Sequence, residues 1–199
     1  MSQGLEIIAA PFTVWLAPVG EAFPYVHAQP AGNWVKLGTS GDKHYTEEGV
    51  KVAHEQEIEQ VHTLGRTGPV KALRVKEGLK ISLSLLDLSV EQYRRALNDV
   101  AITEVDAAAG IPGSRNIPLR RGLTVAEYAV LVKADVSSEG DGFASQYQVP
   151  RAFMDGSPEL VFRKNEPAVL LLELVALEDE DAADGEEFGK LVVQDADAQ

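Results

Sequence analysis

The sequence predicts a mainly β domain, a sandwich or partial barrel with one flanking helix. Three observations predict it. Short apolar or alternating runs recur along the chain, separated by glycine- and proline-rich breaks. Leu79, Ile81, Leu83 and Leu85 alternate with Lys80, Ser82 and Ser84, the pattern of a half-buried strand. A capped helical stripe is well signalled at one place, after Ser89.

Phe12 to Ala17 is short, apolar and β-prone, and Pro18, Gly20 and Pro24 end it. Residues 24–33 read as a loop, and Trp34 to Leu37 as a short strand stopped by Gly38. A further loop covers 38–49. Val50 to Thr63 then predicts a long strand. One face carries Val50, Val52, His54, Gln56, Ile58, Gln60 and His62, and the other Lys51, Ala53, Glu55, Glu57, Glu59 and Val61. Neither face is apolar throughout, so the far half of this strand is expected to leave the core. A helix over His54 to Gln60 is the competing reading.

Gly65 to Gly68 reads as a turn, Val70 to Lys76 as a strand, and Gly78 as a break before the alternating run. The helix is expected over about residues 89–98. Ser89 and Gln92 form a capping box, Leu88 and Tyr93 occupy the staple positions, and Asn98-Asp99 ends it. Residues 103–122 hold two prolines and three glycines and predict a long exposed loop. Strands follow at Val125 to Asp135, Phe143 to Phe153 and Ala168 to Leu177. No internal repeat is visible. The 199 residues suit one domain, 1–177, with an acidic extension at 178–199.

Composition narrows the function classes. Without cysteine there is no disulfide, thiolate catalyst or thiol-ligated metal, and folding in a cytoplasm fits. The formal net charge is −13, of which residues 178–199 hold −8 through nine acids and Lys190. A surface of that sign disfavours conventional nucleic-acid binding. The start of the chain has neither a basic segment nor a long apolar run, so no signal peptide is expected. Ala168 to Leu177 is too short to span a bilayer.

A search for chemistry yields no catalytic, cofactor or metal candidate. The histidines are His27, His44, His54 and His62. His54 and His62 share a strand face but lie roughly 26 Å apart along an extended chain, so solvated or packing roles are expected. Neither HExxH nor GxSxG occurs, and Gly38–Asp42 and Gly110–Gly113 lack the residues of a phosphate cradle. Arg94-Arg95 and Arg120-Arg121 are basic pairs whose bland reading is surface charge. Their functional reading is pairing with acids across a subunit interface. Glu55, Glu57 and Glu59 form a row on one strand face that must stay wet.

Several phrases resemble the tail tube proteins, or major tail proteins, of long-tailed bacteriophages and related gene transfer agents. They are Val14-Trp-Leu-Ala-Pro-Val-Gly-Glu-Ala-Phe-Pro24, Asn33-Trp-Val-Lys-Leu-Gly38, Gly68-Pro-Val-Lys-Ala-Leu-Arg74, Leu86-Asp-Leu-Ser-Val-Glu-Gln-Tyr93 and Pro150-Arg-Ala-Phe153. Together with the apolar strand at 168–177 they span about residues 12–177. The resemblance implies a β-sandwich or partial barrel with a flanking helix and a long projecting loop or hairpin. It implies hexameric rings that stack into a hollow tube for DNA delivery. An inter-ring arm would fall at 39–68, including Asp42, His44, Tyr45, His62 and Arg66. Glu55, Glu57 and Glu59 would face the lumen or the next ring. Arg94, Arg95, Arg120 and Arg121 would lie between subunits, and the N-terminal segment and acidic C-terminus would add ring contacts. The implied partners are the chain itself and the tape measure, terminator and distal tail proteins. DNA would pass without specific binding, and no membrane or cofactor is implied. The implied location is the virion tail, assembled in the bacterial host cytoplasm. Alternatives are a terminator, a contractile-tail tube or a secretion-system tube, or a carbohydrate-binding adhesin-like sandwich. Trp15 and Trp34 lie in short apolar strands, which disfavours the exposed aromatic platforms that the last reading needs.

Overall fold

The computed structural model describes residues 10–196. The expected ring contacts of residues 1–9 and the acid Asp197 lie outside the described residues. The chain is mainly β. One eight-stranded antiparallel sheet dominates, joined by a small two-stranded sheet and one short helix. The strands are β1 (Thr13–Pro18), β2 (Val35–Lys36), β3 (Tyr45–Val61), β4 (Lys71–Leu85), β5 (Thr103–Val105), β6 (Ser114–Asn116), β7 (Glu127–Ser137), β8 (Gly140–Met154), β9 (Leu170–Ala176) and β10 (Lys190–Val193). The helix α1 covers Val90–Ala96.

The large sheet runs β2-β1-β7-β8-β9-β4-β3, with β10 added on β8. Its alternating apolar residues turn to one side and meet in one core. Val14 and Leu16 of β1, Val130 and Val132 of β7, Leu170, Leu172 and Leu174 of β9, and Ile81, Leu83 and Leu85 of β4 all belong to it. Strands from both ends of the order share that core, so the sheet curls back upon itself. Tyr45, at the start of the last strand, closes the curl. Its hydroxyl accepts from the Val14 N–H at 3.0 Å and donates to the Leu37 carbonyl at 3.0 Å. Burial raises its pKa to about 12 against the opposing Val14 hydrogen bond, and the Asp42 charge adds to the rise.

The β1–β7 part of the sheet is covered on both faces. Ala17, Ala129 and Leu131 point outward, and the loop before β2 folds over them with Trp34 and Phe23. Polar side chains fasten this loop. Buried Lys133 donates to the carbonyls of Val26 and Ala28, Gln146 donates to Pro24 O at 2.9 Å, and Trp34 donates to Ala22 O at 3.1 Å. A buried ammonium is tolerable only when such acceptors replace water.

Several expectations need correction. Gly78 does not break β4. It lies in the ladder opposite Glu55, and a side chain there would meet open space. The strand β3 begins five residues earlier than the apolar pattern indicates, with a register shift between Tyr45 and Val50. The 103–122 segment holds the short β5–β6 hairpin, which has no apolar alternation to betray it. Asn98 does take the left-handed conformation just past the helix, at φ 67°. The capping box does not form, since Ser89 makes no side-chain cap bond. Asp87 takes over, accepting from the Ser89 N–H at 3.0 Å.

Residues 190–193 of the acidic extension are also structured. Strand β10 pairs antiparallel with Ser145–Gln148 of β8. Gly189 makes that approach feasible. Its φ is +108°, and a Cβ there would lie 2.1 Å from the Gln148 carbonyl oxygen.

Tyr45→Phe strands a buried N–H and weakens closure, at a cost of about 2 kcal/mol by urea unfolding. The raised pKa contributes stability that is fully present below about pH 10 and lost as pH rises through about 12. The phenylalanine variant should lack the Tyr45 share of that alkaline loss. Gly189→Ala should cost on the order of 1–3 kcal/mol and release β10. Loss of the amide cross-peaks of 190–193 from their sheet positions, with β7–β9 unchanged, is the expected spectroscopic result.

Candidate functional site

The hairpin of β3 and β4 extends well beyond the core. Its inner half is anchored, because Val50 and Val52 pack against the main cluster opposite Leu83 and Ile81. From His54 outward on β3, and back to Glu77 on β4, every residue is exposed. The tip is the turn at residues 62–70, where Arg66 N–H donates to Thr63 O at 3.2 Å and Val70 N–H to Val61 O at 2.8 Å. The far half of β3 therefore leaves the core as a strand, and no helix forms over His54 to Gln60. It travels with a partner, β4, that the sequence pattern divided into two pieces.

The arm residues expected from the sequence separate into two groups. His62 and Arg66 lie at the tip. Asp42, His44 and Tyr45 lie at the base, and Tyr45 belongs to the core at 8% exposure. The projecting part is thus residues 54–77, and not 39–68. The resemblance sets the early boundary by position, but the residues there form a tight turn at Gly41–His44 packed onto β1. The base is clamped. Asp87 accepts from Thr39 N–H at 2.8 Å, from the Thr39 hydroxyl and from Ser89 N–H, while Leu86 N–H donates to His44 O at 2.8 Å. Burial opposes ionisation of Asp87, but these donors together prevail and hold its pKa down to about 2. Asp87 was not foreseen as a clamp. Its place two residues before the helix cap was the available signal.

Glu55, Glu57 and Glu59 do form a row on one face of β3. The register adds what the sequence lacked. Lys76 lies opposite Glu57 and pairs with it at 2.6 Å, Lys71 lies opposite Val61, and Lys80 lies opposite Ala53. With Lys51 on the same face, four lysines accompany the three glutamates. Lys80 also pairs with Glu173 of β9 at 2.8 Å. This face is balanced in charge, and not an acidic stripe. Val61 and Leu73 stand exposed among these charges, Ile58 is exposed on the opposite face and Val75 at a bulge, all at 40–49% exposure. Val75 is the extra residue of a bulge opposite the Glu57–Ile58 step.

Three of the four arginines of the basic pairs have partners within the chain. Arg94 and Arg95 share the Asp99 carboxylate at 2.7 and 3.2 Å. Arg121 donates to Gly156 O at 3.1 Å, and Arg120 is exposed. The Arg95–Asp99 spacing of four residues was a signal of that pairing.

The histidines do not converge. His27 stacks on Tyr25, His44 accepts from Ser40 N–H at 3.2 Å, His54 lies on the hairpin opposite Leu79, and His62 is near its tip. Among the described residues no group of three or more histidines and acids is placed to hold a metal. Among them, too, no helix is long and apolar enough to cross a membrane.

No family model matches the chain, and no curated protein matches it. A solved structure of the tail of an empty GTA particle, with C6 symmetry, is similar over 84% of this chain and 90% of that one. The identity is 11% and the TM-score 0.41.

The clamp at the hairpin base predicts an acid response. Because the folded pKa of Asp87 is depressed, its contribution is present above about pH 4 and lost as pH falls through about 2. At roughly 1.4 kcal/mol per pKa unit, Asp87→Asn should cost about 2 kcal/mol at pH 7. The variant's unfolding midpoint should change less than that of the wild type between pH 4 and pH 2.

Proposed function

We propose that this chain is a self-assembling structural protein, a tail tube subunit of a long-tailed bacteriophage or related gene transfer agent, and not an enzyme. One observation carries the reading. The exposed hairpin at 54–77 projects from a closed β domain, and its strand edges on both sides are unpaired among the described residues. Strand β3 ends the sheet order, and β4 pairs with β9 only over Lys80–Leu85. Open edges of that length invite pairing with another chain, a hazard in a monomer and a joint in an assembly. The sequence resemblance over residues 12–177 supports the specific form, hexameric rings stacked into a hollow tube.

The physical chemistry of the hairpin agrees with this role. Its apolar side chains are too few for an independent core and sit between charges, which suits a contact made reversibly before it is locked by many copies. Stacking of rings by a head-to-tail contact does not close and generates a filament. The balanced charge of the Glu55–Glu57–Glu59 face would neither bind a polyanion tightly nor repel it strongly. That face therefore serves equally well against a neighbouring subunit, whose lysines and glutamates pair in the same alternating way.

Negative-stain microscopy of concentrated purified protein tests the proposal, with hollow tubes expected. Replacing residues 56–77 by an Asn-Gly turn should keep the core, as judged by an unchanged near-ultraviolet spectrum, and abolish tubes. Tubes of normal length from that variant, or a stable monomer from the wild type under all conditions, would contradict the reading.

A further inference from the structure

The projecting hairpin meets the body at an elbow, and a cavity of about 420 Å³ lies in that elbow. One wall is the root of the hairpin, with His54, Glu77 and Leu79. These residues continue the strand face that carries Val52 and Ile81 into the core. The other wall is the stretch before β10, with Glu178, Glu187 and Phe188. Hydrogen-bonded turns hold this second wall in place. Asp179 N–H donates to Glu187 O at 3.1 Å, Glu186 N–H to Ala183 O at 2.8 Å and Gly189 N–H to Glu186 O at 2.8 Å. The cavity thus lies between two fixed walls, apolar at Leu79 and Phe188 and acidic at Glu77, Glu178 and Glu187.

Among the described residues no lysine or arginine lines the cavity. Arg74 reaches Glu77 at 3.2 Å and Lys190 takes Glu186 at 2.7 Å, which leaves Glu178 and Glu187 without an ion-pair partner among the described residues. The backbone N–H groups of Glu187 and Gly185 hold the Glu187 carboxyl below the usual carboxylate range, so it stays charged. The hairpin tip is the complement. From Gln60 to Lys76 the chain has four bases, Arg66, Lys71, Arg74 and Lys76, and no acid. Arg74 and Lys76 are already paired near the root, with Glu77 and Glu57. Arg66, in the turn itself, is exposed and has no ion-pair partner among the described residues, and Leu64 close beside it is fully exposed. One apolar and one basic side chain together match a cavity that is apolar and acidic.

We infer that the turn at Leu64–Arg66 of one copy of this chain docks in the elbow cavity of the next. Leu64 covers Leu79 and Phe188, and Arg66 meets the carboxylates of Glu178 and Glu187. The occupant belongs to another copy. His54 at the root and His62 near the tip lie roughly 26 Å apart along the ladder, so a hairpin cannot lay its tip on its own root. Each copy carries one tip and one elbow, so the contact is heterologous and repeats from copy to copy. This docking rests on the self-assembly reading above and gives the tip a receiving surface, which the open hairpin edges alone do not name.

The chain has no cysteine, so introduced cysteines report the contact on the intact protein. Leu64→Cys and Glu178→Cys chains, mixed and oxidised, should form covalent dimers far faster than Leu123→Cys mixed with Glu178→Cys, although Leu123 is also exposed, at 95%. Arg66→Glu, at an exposed turn, should raise the concentration needed for self-association about tenfold by sedimentation velocity. Glu178→Arg with Glu187→Arg should do the same. Arg66→Glu combined with that pair in one chain should restore association to near the wild-type value, which a folding defect would not allow. Equal cross-linking of the Leu123→Cys control, or no rescue by the charge swap, would overturn the inference. Assembly gives an independent reading. Hollow tubes of normal length from Arg66→Glu would refute this joint while leaving the tube reading intact. Specific tip-to-elbow cross-links in a wild-type background that forms no tubes would support the joint and count against the tube.

Discussion

The hydroxyl of Tyr45 joins the two ends of the sheet. It accepts from Val14 on β1 and donates to Leu37 beside β2, while its own strand, β3, is the last in the order. An open antiparallel sheet with one apolar face must find a second surface to cover that face. Here the sheet covers itself, and the leucines of β4 and β9 meet the valines of β1 and β7. Because the phenol is buried and both of its bonds are to backbone, it fixes where β3 starts against β1. Everything distal on β3 inherits its position from that point. The Asp87 clamp adds a second anchor on β4, at the other leg of the hairpin base.

Two well-held legs make a cantilever of the hairpin beyond His54. Its inner residues are fixed by core packing and its outer ones only by the ladder between its own strands. A two-stranded ribbon without a covered face has little stability of its own. Its order depends on the base, and its function in our proposal depends on neighbours. The same division appears beside the hairpin, where Gly189 shares a cavity wall with His54 and Glu77 and lets β10 reach β8, while the acids just before it remain at the surface. The closed body is thus finished by local contacts, while the hairpin edges are left unpaired among the described residues.

What was legible in the sequence was what alternates locally. The run Leu79 to Leu85, the strands after residue 125 and the helix at 89–98 all carry periodic apolar residues, and all are present. The projecting half of β3 was legible as well, because its two faces are equally polar. What was not legible depends on register. Glu55, Glu57 and Glu59 read as an acidic stripe because Lys71, Lys76 and Lys80 belong to another strand. Gly78 read as a break because nothing in the sequence shows that Glu55 stands opposite it. Strand β10 was hidden in acidic surroundings, and its pairing depends on one glycine whose importance is visible only against Gln148. The Tyr45 bridge spans 31 residues to Val14 and leaves no local pattern at all.

The central claim is that a closed domain holds out a hairpin whose edges are completed by other copies. Amide hydrogen exchange on the soluble chain and on its assembled form tests it most directly. The account predicts strong protection of β7, β8 and β9 in both forms. It predicts rapid exchange at 54–61 and 71–77 in the soluble chain and a large gain of protection there on assembly. Equal exchange of the hairpin in both forms, with protection gained elsewhere, would contradict it.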